Sequence, residues 1–327
     1  MKINVEPVER KEKATYDKFN PNIRVAEINS YLLCFYDGRE ISNYPEWIQN
    51  NLDMNLGLSC YVIHKNGKAI IFDTMLYSEQ IYWIDDYLKK QGIEVVTVIN
   101  SHYDPDHIAG NFLYKDKTII SSLNTRRCLE MYGDSLSSGD EWRYYGDPSF
   151  PGMKELVLPN YTFEDKMVLY FEGMRLELYE VFLHRLGSTV LYIPEDKILL
   201  AGDVVEDTVI FLPLGSEYYI PLKILSYDKL YKMDIETIYP SHGCFETIAA
   251  GGYPKDFILA MRDYKVQLIE RMREPNYLEL EIEDILGKWI DKGVLKVHEP
   301  YRWLNKYNLK SVYKFYKDMP TPKIPSF

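Results

Sequence analysis

The sequence predicts an α/β fold in which strands alternate with amphipathic helices, and three features carry that prediction. Short, β-branched apolar runs recur as far as Tyr239, helical periodicity lies between and after them, and several runs end directly at a histidine or aspartate. Residues Ile23–Tyr36, Leu58–His64 and Lys68–Asp73 read as strands, the last two joined by Lys65-Asn66-Gly67, a hairpin signal. A helix follows over Ser78–Gln91, with Ile81, Ile84 and Leu88 on one face, Ser78 as candidate N-cap and Gly92 past its end. Val95–Asn100 suits a buried strand. The pattern repeats with strands at Met174–Leu183, Thr189–Ile193 and Lys197–Leu200, a helix near Pro221–Tyr231 and a short strand over Thr237–Tyr239. A long helix is expected over Tyr253–Arg273, punctuated by Glu274-Pro275-Asn276, with further helices at Leu278–Lys292 and Leu309–Asp318. These divide the 327 residues into a main domain, 1–275, and a C-terminal helical cap or arm, 276–327.

Bulk properties narrow the function. The net charge of −11 and the lack of any basic run argue against nucleic acid as partner. No apolar stretch reaches the roughly 18 residues of a membrane span, and the N-terminal residues lack a signal-peptide core. Cys34, Cys60, Cys128 and Cys244 are scattered without a C-x-x-C pair, as expected of reduced thiols. A cytoplasmic location, no membrane partner and a small-molecule substrate are the resulting expectations. The 29 tyrosines suit strand and helix packing, pocket walls or a homodimer interface.

One segment concentrates chemistry. His102-Tyr103-Asp104-Pro105-Asp106-His107 places two imidazoles and two carboxylates directly after an apolar strand. In an extended chain, side chains 102, 104 and 106 share one side, and His107 points to another. Pro105 keeps Asp104 out of the helical region. Ionisable groups crowded at a buried strand end are costly without cations; a solvated acidic loop is the alternative reading. His184, Asp203 and His242 also stand at predicted strand ends, which favours a metal site over a loop.

These residues resemble the metallo-β-lactamase superfamily, whose motif is His-x-His-x-Asp-His followed by a His, a bridging Asp and a final His. The later separations, 77, 19 and 39 residues, are similar to those of the glyoxalase II-like branch. Asp73-Thr74 resembles the family's early Asp, and His184-Arg185-Leu186-Gly187-Ser188 its His-x-x-Gly-Ser turn, with Leu183 and Leu186 replacing a common Gly and Pro. The resemblance spans about residues 25 to 250 and implies a four-layer αββα sandwich with a C-terminal helical extension. It implies two divalent metal ions, one held by His102, Asp104 and His184 and the other by Asp106, His107 and His242, with Asp203 bridging. Asp73 would orient a ligand imidazole; His64 and His298 match no motif position.

Asp104 stands where the family usually has His. The resulting donors, four imidazoles and three carboxylates, tilt preference from zinc toward iron or manganese. A carboxylate at this place is similar to the flavodiiron and oxygen-binding diiron proteins. Two activities follow from the resemblance. One is hydrolysis of an ester, thioester, lactone or phosphoester by a metal-bound hydroxide, with Asp106 or Asp203 relaying a proton. The other is a diiron role, binding or reducing dioxygen or nitric oxide, which as a reductase would need an electron-donor protein. The pocket is expected between Tyr132–Met153, with Trp142, Tyr144 and Tyr145, and Thr208–Ile220, with Phe211, Tyr218 and Tyr219. Tyr218 or Tyr219 is a candidate donor to a substrate carbonyl, and the tail bearing Trp289, Tyr301, Trp303 and Tyr313 a candidate substrate wall or dimer arm. Nothing singles out a β-lactam substrate.

Overall fold

The structure is a computed structural model that describes residues 19–138, 152–213 and 215–324. The expected first strand is a hairpin, β1 (Arg24–Asn29) and β2 (Leu32–Asp37), because the Asn29 side chain accepts from the backbone N–H of Tyr31 and Leu32 and turns the chain. Short helices α1 (Glu46–Gln49) and α2 (Leu52–Leu56) lead into β3 (Leu58–Lys65) and β4 (Lys68–Phe72). Helix α3 (Ser78–Lys90) buries Ile81, Ile84 and Leu88 as its periodicity predicts. Its N-cap is Tyr77 rather than Ser78, since the Gln80 side chain reaches back to the Tyr77 N–H. Then come β5 (Glu94–Ile99), the single turn α4 (Pro105–Ile108), β6 (Thr118–Ser122), α5 (Leu123–Ser138) and β7 (Tyr161–Phe163). These strands form one sheet in the order β1 to β7, antiparallel up to β4 and parallel after it.

A second sheet has the order β13-β12-β11-β10-β9-β8. It comprises β8 (Lys166–Phe171), β9 (Met174–Glu180), β10 (Thr189–Ile193), β11 (Ile198–Gly202), β12 (Thr237–Pro240) and β13 (Tyr253–Pro254). Helix α6 (Ile220–Tyr231) makes the crossover between the parallel pair β11 and β12. Helix α7 (Phe245–Ala249) is followed by α8 (Asp256–Glu270), shorter than expected because Tyr253-Pro254 is taken into the sheet edge, then α9 (Ile282–Asp291) and α10 (Pro300–Tyr316). Pro300 at the first turn starts α10 nine residues earlier than expected.

Strand alternation produces the layers. Leu32, Cys34 and Tyr36 face the second sheet, whereas Leu33 and Phe35 face the core shared with Ile81, Ile84 and Leu88 of α3 and Leu129 of α5. On the far side of the second sheet, Ile224, Tyr227, Phe257, Met261 and Leu268 of α6 and α8 are buried with Leu286, Trp289, Tyr301 and Leu304 of α9 and α10. The result is the four-layer αββα sandwich, with C-terminal helices sharing one core with the second sheet. Among the described residues no helix is long and apolar enough to cross a membrane.

Candidate metal centre

Strand ends from both sheets deliver the site. His102 follows β5, His184 sits between β9 and β10, Asp203 follows β11 and His242 follows β12, all buried. Two glycines permit the close approach. A Cβ on Gly187 (φ +85°) would lie 2.5 Å from the Thr125 nitrogen, and one on Gly202 (φ +55°) 2.8 Å from the Ser101 Cβ. The Gly187 carbonyl accepts from Ser122 and Thr125, tying the His184 turn to the β6–α5 junction.

The His102 segment departs from a continuous extended loop. Asp104 is extended (φ −70°, ψ 145°) as Pro105 requires, but Pro105 then occupies the first turn of α4, where its missing N–H costs nothing. Asp106 therefore does not share a side with residues 102 and 104. It turns with His107 toward His242, and side-chain atoms of Asp106, His107, Asp203 and His242 all lie within 4.8 Å of one another. A second group of the same closeness is His102, His184 and Asp203.

Asp203 joins the two groups through one atom. Its Oδ2 lies 3.1 Å from His107 Nε2, 3.4 Å from His242 Nε2, 3.6 Å from His102 Nε2 and 3.8 Å from His184 Nε2. Asp106 Oδ2 is 3.0 Å from His107 Nε2 and 3.2 Å from His242 Nε2. Asp104 Oδ2 is 3.3 Å from both His102 Nε2 and His184 Nε2, yet it also accepts from Arg185 Nε at 2.9 Å. Nothing in the sequence pattern pointed to that guanidinium partner.

The other ring nitrogens of His102, His107 and His242 are anchored. His107 Nδ1 donates to Asp73 at 2.8 Å, and Asp73 also accepts the Ser101 N–H at 2.7 Å. Asp73, whose left-handed backbone (φ 67°) is uncommon for a non-glycine residue, orients a ring as expected. His242 Nδ1 donates to the Gly57 carbonyl at 2.8 Å, and His102 Nδ1 is 2.9 Å from the Ser101 hydroxyl. His184 Nδ1 lacks a hydrogen bond among the described residues, and Glu206, a residue the sequence reading missed, lies 3.9 Å from it.

This arrangement fits divalent metal. A carbonyl only accepts, so His242 carries a proton on Nδ1 and, when neutral, turns the Nε2 lone pair on Asp106 and Asp203. Asp104 Oδ1, Asp106 Oδ2, Asp203 Oδ1 and His102 Nε2 are buried with no hydrogen-bond partner among the described residues. Lone pairs facing lone pairs at these spacings are relieved by a cation about 2 Å from each donor. Burial opposes charge on His107, but Asp106, Asp203 and Asp73 hold its pKa well above the ordinary value; Asp203 and Asp106 do the same for His242. Burial also opposes ionisation of Asp203 and Asp104, yet His107 and His242 hold the former, and Arg185 and His102 the latter, well below the carboxylate range. Burial lowers His184 to about 3.

Of the expected pocket residues, Phe211 faces the centre beside His184. Tyr218 and Tyr219 do not line it; they are exposed and pack against each other and against Phe315 and Phe182. Trp142, Tyr144 and Tyr145 lie outside the described residues. Trp303 of the tail lines the pocket, whereas Trp289, Tyr301 and Tyr313 do not. His298 is a packing residue that bonds to Thr208 and to the Asn55 carbonyl.

Known proteins share this frame. The chain covers 76% of its length and 99% of the solved structure of VMB-1 at 13% identity and a TM-score of 0.54. It matches DIM-1 metallo-beta-lactamase at 16% identity and TM-score 0.52, covering 75% and 98% of the two chains. For a metallo-beta-lactamase from Pontibacter korlensis the values are 16%, 0.50, 70% and 98%. At these identities the likeness is one of fold. A curated relative, Recombination protein 2 of Haemophilus influenzae, is 29% identical over 135 residues, 38% of this chain, and the match spans 17% of that protein. Residues 56–242, which contain every candidate ligand, match the family model of the metallo-beta-lactamase superfamily, and the chain belongs to that superfamily.

Proposed function

We propose that this protein is a dinuclear metal-dependent hydrolase of an ester, thioester, lactone or phosphoester. The observation that carries the reading is the single Asp203 oxygen placed among four imidazole nitrogens, a geometry suited to bridging two ions. His102, Asp104 and His184 would hold one ion, and Asp106, His107 and His242 the other. Bound divalent ions supply an activated water and a Lewis acid. Asp106, kept ionised despite its burial by His107 and His242, is the group that accepts a proton and passes it to the leaving group; Asp203 is the other candidate. Asp73, Ser101 and the Gly57 carbonyl keep the rings in register.

Asp104 supports a second reading. A carboxylate at the first ion favours iron, and an iron-loaded centre would suit dioxygen or nitric oxide binding. Turnover of p-nitrophenyl acetate and a thioester by metal-loaded protein, with an absorption spectrum recorded under air, separates the two. Metal-dependent hydrolysis without a visible ligand-to-metal band is the expected result. A band with no hydrolysis would replace the hydrolase with the diiron reading.

A further inference from the structure

The lining around the metal centre is built partly from outside the family match. Besides the candidate ligands it includes Leu52 and Leu56 of α2, Phe211 of the loop after β11, and Trp303 and Leu304 of α10. Helix α10 is fastened there. Asn308 donates to the Ile210 carbonyl and accepts from the Leu212 N–H, while Thr208 donates to the Lys296 carbonyl and accepts from the His298 N–H. These bonds fix the loop that carries Phe211 and the helix that carries Trp303 as one unit.

Apart from the candidate metal ligands, the polar groups facing this space are Asp53 and Glu206, and no lysine or arginine is among its described lining residues. Neither carboxyl offers positive charge in any protonation state. Arg185, beside His184, donates to Asp104. A substrate carboxylate seated among Leu52, Leu56, Phe211, Trp303 and Leu304, beside Asp53 and Glu206, would lose water and meet no cationic side chain among the described residues, which is costly. The cavity at the candidate ligands is about 30 Å³, a space that bound ions would occupy. Trp303, in the lining, is 50% exposed and stacks on Tyr307 at 5.8 Å.

Building on the hydrolase reading, we infer that the substrate is an ester, thioester or lactone whose group beside the reacting carbonyl is uncharged and apolar, seated between Leu52, Phe211 and Trp303. The C-terminal helix is then the element that selects substrate.

The test uses the full chain loaded with metal and two probes with the same reacting ester, p-nitrophenyl hexanoate and the mono-p-nitrophenyl ester of adipic acid, which adds a terminal carboxylate. The hexanoate is expected to be preferred in kcat/KM by about 100-fold, the scale on which apolar pockets discriminate. Trp303→Ala should reduce the advantage of hexanoate over acetate, and Trp303→Arg, at an exposed position, should raise adipate turnover at least about 10-fold by supplying the missing cation. Equal rates on hexanoate and adipate, with both variants unchanged, would overturn the inference and leave the hydrolase standing. Absence of metal-dependent turnover of every ester would remove the hydrolase reading and the inference together.

Discussion

Asp203→Ala is expected to empty both halves of the metal centre at once and to lower kcat/KM for ester hydrolysis by at least about 100-fold. Loss of groups that only orient ligands already costs roughly 10- to 100-fold in affinity or activity, and Asp203 stands closer than those. Its Oδ2 is the atom common to both clusters, so its removal leaves His102 and His184 on one side, and Asp106, His107 and His242 on the other, with no shared oxygen. Asp203→Asn keeps an oxygen but not the charge and should lie between wild type and alanine. Elemental analysis of the purified variants checks the occupancy. Undiminished metal in Asp203→Ala would show that the carboxylate does not bridge.

Removing metal is expected to destabilise the protein, and increasingly so as pH rises from 7 to 9. Metal held at about a thousandfold over its dissociation constant contributes about 4 kcal/mol per site, which for a chain of this size corresponds to a fall in Tm of roughly 10 °C on chelation. The pH dependence follows from His107 and His242. Their folded pKa values are raised by Asp106 and Asp203, so the stability their protons provide in the metal-free state is complete below about 6.5 and lost as pH climbs through the folded values. His184, lowered to about 3, stays neutral across that window and contributes no slope. In the loaded protein the same nitrogens would face metal rather than protons, so this slope should be absent there. Melting curves with and without chelator at pH 7, 8 and 9 measure the gap. A gap that narrows with pH would contradict this ordering.

Much of the site was legible because the His102 segment, Asp203 and His242 each follow a short apolar run, which reads as a strand without tertiary information. His102 after Val95–Ile99, Asp203 after Ile198–Gly202 and His242 after Thr237–Pro240 were placed in this way, and the sheets bring them together. Local backbone chemistry at Pro105 was half legible. Its effect on Asp104 was correctly anticipated, but a proline also starts helices, and the turn Pro105–Ile108 redirects Asp106. What lay beyond reach is non-local. Arg185 pairs with Asp104 across 81 residues, Glu206 approaches His184 through the packing of β11 against its neighbours, and Trp303 reaches the centre because α10 folds back along Thr208–Leu212. No periodicity encodes such contacts.

The chain is expected to hold two metal ions in the space shared by His102, His107, His184 and His242. Metal analysis of protein purified without chelator, and again after zinc, iron and manganese are offered in turn, tests it most directly. Two equivalents per chain, falling below one in Asp203→Ala, is the predicted result. Protein that stays metal-free under all three conditions would contradict the claim.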